Sequence, residues 1–255
     1  MQWIYTAAGL LVGFTVGLTG VGGGSLMTPI LVLAFGISPA VAVGTDLLYA
    51  SITKTGGTLV HGRRGSVDWK IVGWLSAGSL PAALACILLL RKLGVDSKHF
   101  SSVVTYTLGI ALLFTAVAVL FKEKLRKLTT GKGEWRARWL VPATIATGVV
   151  LGVLVSISSV GAGALGMVAL CFLYPEKPTV HNVGTDIAHA VPLTAVAGLG
   201  HAFMGTVNVS LLGSLLLGSL PGIYLGSRVS THVPDKVLRP ILASMLAIIG
   251  GRLVF

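Results

Sequence analysis

Two stretches of this chain set ionisable side chains inside apolar runs. "VGTDLLYASITKTGGTLVHG", residues 43–62, carries Asp46, Lys54 and His61, and "VGTDIAHAVPLTAVAGLGHA", residues 183–202, carries Asp186, His189 and His201. Ionisable groups inside a membrane are costly and usually face a cavity or one another. A carboxylate there can take up a proton or hold a cation, so Asp46 and Asp186 are candidates for proton coupling, with His61 and His201 as proton-transfer groups. The structural alternatives are helix capping for the aspartates and interfacial hydrogen bonding for the histidines. Lys54, with Thr194 in its place in the second stretch, is a candidate anion contact. Its alternatives are a salt bridge to Asp46 or Asp186, or a stem that snorkels to the surface. His181, Asp186 and His189 raise the question of a metal, but helical geometry turns His181 about 140° away from Asp186.

Upstream of each stretch lies a glycine-rich turn, "GVGGGSL" at 20–26 and "SVGAGAL" at 159–165. Glycine permits turns that other residues resist, and helix N-termini offer free N–H groups to anions. Ser25 is placed to cap the half-helix after the first turn, and Ala164 begins its counterpart. Paired, glycine-interrupted apolar segments in matching halves are a pointer to a transporter's substrate site.

The elements that position these residues follow from the apolar pattern. Ten segments are expected, at 3–20, 25–36, 40–61, 69–91, 100–121, 139–156, 162–174, 179–203, 208–227 and 237–254. The second and seventh are short for a span and are read as broken or re-entrant. A basic stretch, "KEKLRKLTTGKGEWRAR" at 122–138, divides the chain into a repeat at 1–121 and a repeat at 139–255. Val43–Pro81 aligns with Val183–Pro221 without a gap, 15 of 39 positions being identical, "GSLP" at both ends included. Five segments per half predicts opposite insertion, that is, two inverted-topology repeats. On a helix, Asp46, Tyr49, Thr53, Gly57 and His61 form one stripe, and Asp186, His189 and His201 form the same stripe. Aspartate and histidine lie about 22 Å apart along it, so two antiparallel copies would bring the aspartates towards the centre and send the histidines to opposite faces. Gly218, Gly222 and Gly226 recur every four residues, which is a packing face.

Composition fixes the class. The 255 residues are 54% hydrophobic and 11% charged, with mean hydropathy +0.89. Soluble domains carry roughly 25% charged residues, so an all-α polytopic membrane protein is expected. The net charge of +11 does not indicate nucleic-acid binding, because the basic residues lie between apolar runs. With 122–138 in the cytoplasm, the inner loops hold 14 Lys and Arg and the outer side four, as the positive-inside rule requires. The matched hairpins are the sharpest case: "HGRRGSVDWK" has three basic residues and "HAFMGTVNVS" none. Both termini are then extracytoplasmic. The N-terminal stretch has neither a basic start nor a cleavage site and reads as the first membrane segment. Cys86 and Cys171 fall inside apolar segments as small core residues.

The motifs "GLTGVGGGSLMTPIL" and "VGTDLLYASITKTGGTLVHG", the repeated "VGTD" and the repeated "GSLP" closely resemble the TauE/SafE family of sulfite and organosulfur exporters, over essentially the full length. The resemblance implies a plasma-membrane carrier of two related halves for sulfite, sulfonate or thiosulfate-like anions. It implies that Gly22, Gly23, Gly24, Gly44, Thr45 and Asp46 line one half of the site and Gly161, Gly163, Gly184, Thr185 and Asp186 the other. The second turn departs from the first, "GAG" standing for "GGG". The expectation is a secondary transporter of small sulfur-containing anions, coupled to protons or another ion, with no enzymatic activity, cofactor, metal or nucleic-acid partner, and compatible with a homo-oligomer. The alternative is a cation or divalent-metal permease using Asp46, Asp186 and His189.

Overall fold

Helix boundaries follow local capping chemistry. The computed structural model describes residues 2–19, 24–93, 98–129, 134–229 and 235–255. Its helices are α1 (Gln2–Thr19), α2 (Gly24–Leu33), α3 (Pro39–Arg63), α4 (Trp69–Leu93), α5 (Lys98–Thr129), α6 (Glu134–Ser158), α7 (Ala164–Leu173), α8 (Thr179–Phe203), α9 (Val209–Val229) and α10 (Asp235–Val254). Among the described residues there is no strand. Pro39 opens α3, where a missing N–H loses nothing. Asp68 caps α4, its Oδ1 accepting the N–H groups of Lys70 and Ile71 at 3.1 and 3.2 Å. Asn208 caps α9 in the same way, accepting from Leu211 at 3.0 Å; one such cap contributes about 1 kcal/mol.

Among the described residues, four helices, within Trp69–Lys92, Phe100–Phe121, Trp139–Ser158 and Val209–Gly226, are long and apolar enough to cross a membrane. α2 and α7 have 10 residues each, or about 15 Å of helix, which is too short to cross a hydrocarbon core of about 30 Å. The polar stretch expected as a loop at 122–138 is largely helical. α5 continues to Thr129 and α6 starts at Glu134, because Lys, Glu, Leu and Arg are good helix formers.

The two sequence repeats interlock. α3 lies antiparallel to α8: Gly44 approaches His201, Leu48 approaches Gly198 and Gly57 approaches Ile187. α1 packs on α9, α4 on α6 and α5 on α10. These contacts run through glycine. A Cβ on Gly218 or Gly222 would meet the backbone of Thr6 or Leu10, and one on Gly148 or Gly152 the backbone of Leu75 or Ser79. The expected packing face on α9 is therefore present at Gly218 and Gly222. Large apolar side chains such as Leu88, Phe114, Val150 and Leu217 point outward.

Candidate functional site

The repeated hairpins are the joints that hold α3 and α8 together. α3 ends with Gly65 at φ +65° and α8 with Gly205 at φ +75°, the left-handed geometry glycine adopts freely. At each end two backbone bonds close the turn: Ser66 N–H to His61 O and Gly65 N–H to Gly62 O at 3.0 and 3.1 Å, and Thr206 N–H to His201 O and Gly205 N–H to Ala202 O at 3.0 Å. This is the Schellman arrangement. The histidine side chain braces the same turn. His61 Nδ1 pairs with Ser66 Oγ at 2.9 Å and His201 Nδ1 with Thr206 Oγ1 at 2.8 Å.

Each braced hairpin then docks on the other repeat. The Asp68 N–H donates to Thr185 Oγ1 at 3.0 Å, and the Asn208 N–H donates to Thr45 Oγ1 at 3.1 Å. Gly184 leaves room for the Ser66 carbonyl and the His61 ring, and Gly44 leaves room for the Thr206 carbonyl and His201. Gly44 and Thr45 thus meet the hairpin of His201, and Gly184 and Thr185 meet the hairpin of His61. One end carries an additional ion pair, Lys177 Nζ to Asp68 Oδ2 at 2.7 Å. The opposite joint has Asn208 and Ile37 at the matching positions.

Further polar side chains are buried between the two joints. Asp46, Thr28, Lys54, Asp186 and His189 are all buried. Thr28 Oγ1 donates to Asp46 Oδ2 at 2.5 Å, while Asp46 Oδ1 has no partner. Asp186 Oδ1 also has none; it lies against Gly166, where any Cβ would collide with it. The Lys54 ammonium donates to the Ala162 carbonyl, and its charge acts on both carboxylates. Ala162 belongs to the second glycine turn, whose backbone is left-handed at Ser159 (φ 59°), Gly161 (φ 121°) and Gly163 (φ 133°). Ser159, a non-glycine residue in that region, is strained locally. Its hydroxyl lies beside Asp46 without completing a hydrogen bond. The second turn therefore lies across α3 from Asp46 to Lys54.

Of the remaining expected residues, Gly22 and Gly23 lie outside the described residues, as does the side chain of Ser25; Gly24 is the first residue of α2. Gly163 sits at the N-cap of α7 without a side-chain cap. Sequence reading left out Thr28, Ser159 and Ser79, and gave Tyr49 no role beyond the stripe. Among the described residues no three His, Cys, Asp or Glu are grouped as a metal ion would need.

No solved structure matches the chain. It is 39% identical over 253 residues to the Bacillus subtilis protein named "Probable membrane transporter protein YjnA", covering 96% of this chain and 97% of that one. It is 26% identical to YdhB of the same organism, covering 96% and 97%, and 26% identical to YfcA of Escherichia coli, covering 96% and 87%. Both of these relatives are likewise named probable membrane transporter proteins. The family described as "Sulfite exporter TauE/SafE" matches residues 5–253, and the chain belongs to that family.

Proposed function

We propose that the protein is a secondary membrane transporter, not an enzyme, that carries small sulfur-containing anions such as sulfite, sulfonates or thiosulfate together with protons. The observation that carries this reading is the pair of buried carboxylates, Asp46 and Asp186, each with an unpartnered oxygen, on either side of a buried lysine held at a strained glycine turn. Orphaned buried polar atoms are rare because each costs about 1–3 kcal/mol, and a ligand or water that completes them explains their retention. An anion entering beside carboxylates favours their protonated form, which links anion binding to proton uptake. The anion sits at Lys54 and the second glycine turn. Relatives named as membrane transporters and a family named for sulfite export support the substrate class.

In this reading the two repeats insert with opposite topology in the plasma membrane and both termini are extracytoplasmic. The reciprocal docking of Thr45 and Thr185, and the charge of one hairpin against the neutrality of the other, support it. The test is uptake of radiolabelled sulfite and thiosulfate into proteoliposomes under an imposed pH gradient. Accumulation that follows the gradient, and that loses its pH dependence in Asp46→Asn, is the expected result. Uptake indifferent to pH in the native protein would remove the proton from the mechanism.

A further inference from the structure

The serine hydroxyls of the two "GSLP" segments have no role in the joints or the glycine packing described above, yet each meets a polar side chain of the other repeat. Ser79 on α4 is 2.8 Å from His189 Nε2 on α8. The residue 140 positions before His189 is Tyr49, and the residue 140 positions after Ser79 is Ser219. The Tyr49 hydroxyl lies beside Ser219 and completes no hydrogen bond. The arrangement is thus made twice, once in each direction across the repeats.

His189 is fully buried, at 0% exposure, and its Nδ1 has no partner. It is one helical turn from Asp186, and the Lys54 charge acts on it. The hydrogen positions follow from counting. A neutral imidazole has one N–H and one lone pair. If Ser79 accepted from Nε2–H, its own hydroxyl hydrogen and the bare Nδ1 would both be buried unpaired. If Ser79 donates to Nε2, only the Nδ1–H is left over. The second arrangement leaves fewer groups unpaired, and it turns His189 into a buried donor with nothing to donate to.

We propose that His189 Nδ1–H is a substrate-binding donor for the transported oxyanion, acting beside Lys54, and that Ser79 is a positioning residue that fixes the imidazole tautomer. This rests on the anion-transport reading above and adds to it the atom that recognises an anionic oxygen. A metal ligand at the same residue would need the bare Nδ1 lone pair, which Ser79 removes.

Asparagine places an amide near the Nδ1 position of histidine, and glutamine places one near Nε2, so the two substitutions separate recognition from the Ser79 contact. The experiment measures binding of sulfite and of thiosulfate by calorimetry to the full-length protein in lipid nanodiscs, for the native chain, His189→Asn, His189→Gln and Ser79→Ala. A lost hydrogen bond to a charged ligand lowers affinity by about tenfold or more. His189→Gln is expected to lose at least that much, His189→Asn to stay within a few-fold of native, and Ser79→Ala to fall between them. The reverse order, with His189→Gln the better binder, would show a purely structural link and overturn the proposal. If His189→Gln fails to fold, unchanged binding in Ser79→Ala overturns it instead. A native protein that binds neither anion removes the transport reading itself, and this inference with it. Native binding with His189→Gln unaffected removes this inference alone.

Discussion

The hydroxyl oxygen of Thr45 accepts the backbone N–H of Asn208 at 3.1 Å, across 163 residues of sequence. Thr185 does the same for Asp68 at 3.0 Å. Both threonines are buried, while Asp68 is half-buried and Asn208 exposed, so each hydroxyl holds the rim of a hairpin. Valine keeps the shape and removes the acceptor. Thr45→Val and Thr185→Val are each expected to destabilise the protein by about 0.5–1.5 kcal/mol, while the serine variants stay near native. Unfolding of the detergent-solubilised protein reads this, and valine variants as stable as the serine ones would dismiss the joint.

Glycine at helix contacts separates into two groups. A Cβ on Gly78 would run into the Ile145 carbonyl, whereas one on Gly73 or Gly213 meets nothing within 4 Å. Gly78→Ala should cost about 1–3 kcal/mol through overpacking. Gly73→Ala and Gly213→Ala should be neutral or stabilising by up to about 1 kcal/mol, from helix propensity. Equal melting shifts for all three would contradict the packing described here.

Lys54→Met keeps most of the side-chain length and removes the charge that holds the Ala162 carbonyl. Sulfite uptake should fall by about tenfold or more, the loss of one hydrogen bond to a charged group, with the protein still monodisperse. Uptake within twofold of native would place the anion elsewhere.

The Asp68 carboxyl is partly desolvated, which works to raise its pKa. The hydrogen bond from Lys177, the N–H groups of Ile71 and Lys70 and the Lys177 charge outweigh this and hold it below the ordinary value of 3.8. A lowered carboxylate pKa adds stability that is complete above the unfolded value and fades as pH falls through the folded one. The ion pair therefore stabilises at neutral pH and is lost below about pH 4. Being partly exposed, it contributes no more than about 1 kcal/mol. Asp68→Asn should retain the helix cap, as Asn208 does, and flatten the fall in melting temperature below pH 4. An unchanged acid profile would show that the pair adds nothing.

Opposite insertion is checked by labelling. Arg63 and Phe203 occupy matching positions and are exposed, while the native Cys86 and Cys171 are buried. Arg63→Cys should react with a membrane-impermeant maleimide only from the cytoplasmic side and Phe203→Cys only from outside. Both reacting from one side would end the inverted-repeat reading.

Much of this was legible because it is local. Apolar periodicity, proline and glycine place helix ends within a few residues, apart from the longer α5 and α6, and the gapless repeat pairs His61 with His201. The partners of those residues were less accessible. No periodicity records that Thr185 meets Asp68 or that Lys54 reaches Ala162, since both contacts join segments more than 100 residues apart. His189 drew attention as a metal ligand because its type suggests one; only the Ser79 contact points to a different role. Thr28 was hidden inside an apolar helix, next to Pro29.

The pairing of α1 with α9 has a consequence for biogenesis. α1 leaves the ribosome well before α9, so the face that covers Gly9 and Gly13 arrives only with Leu215 and Ser219, about 200 residues later. Until then α1 waits beside the insertion machinery or in lipid with its glycine groove bare. Truncation that removes α9 would therefore strand α1, at the far end of the sequence, as surely as it removes the later segments.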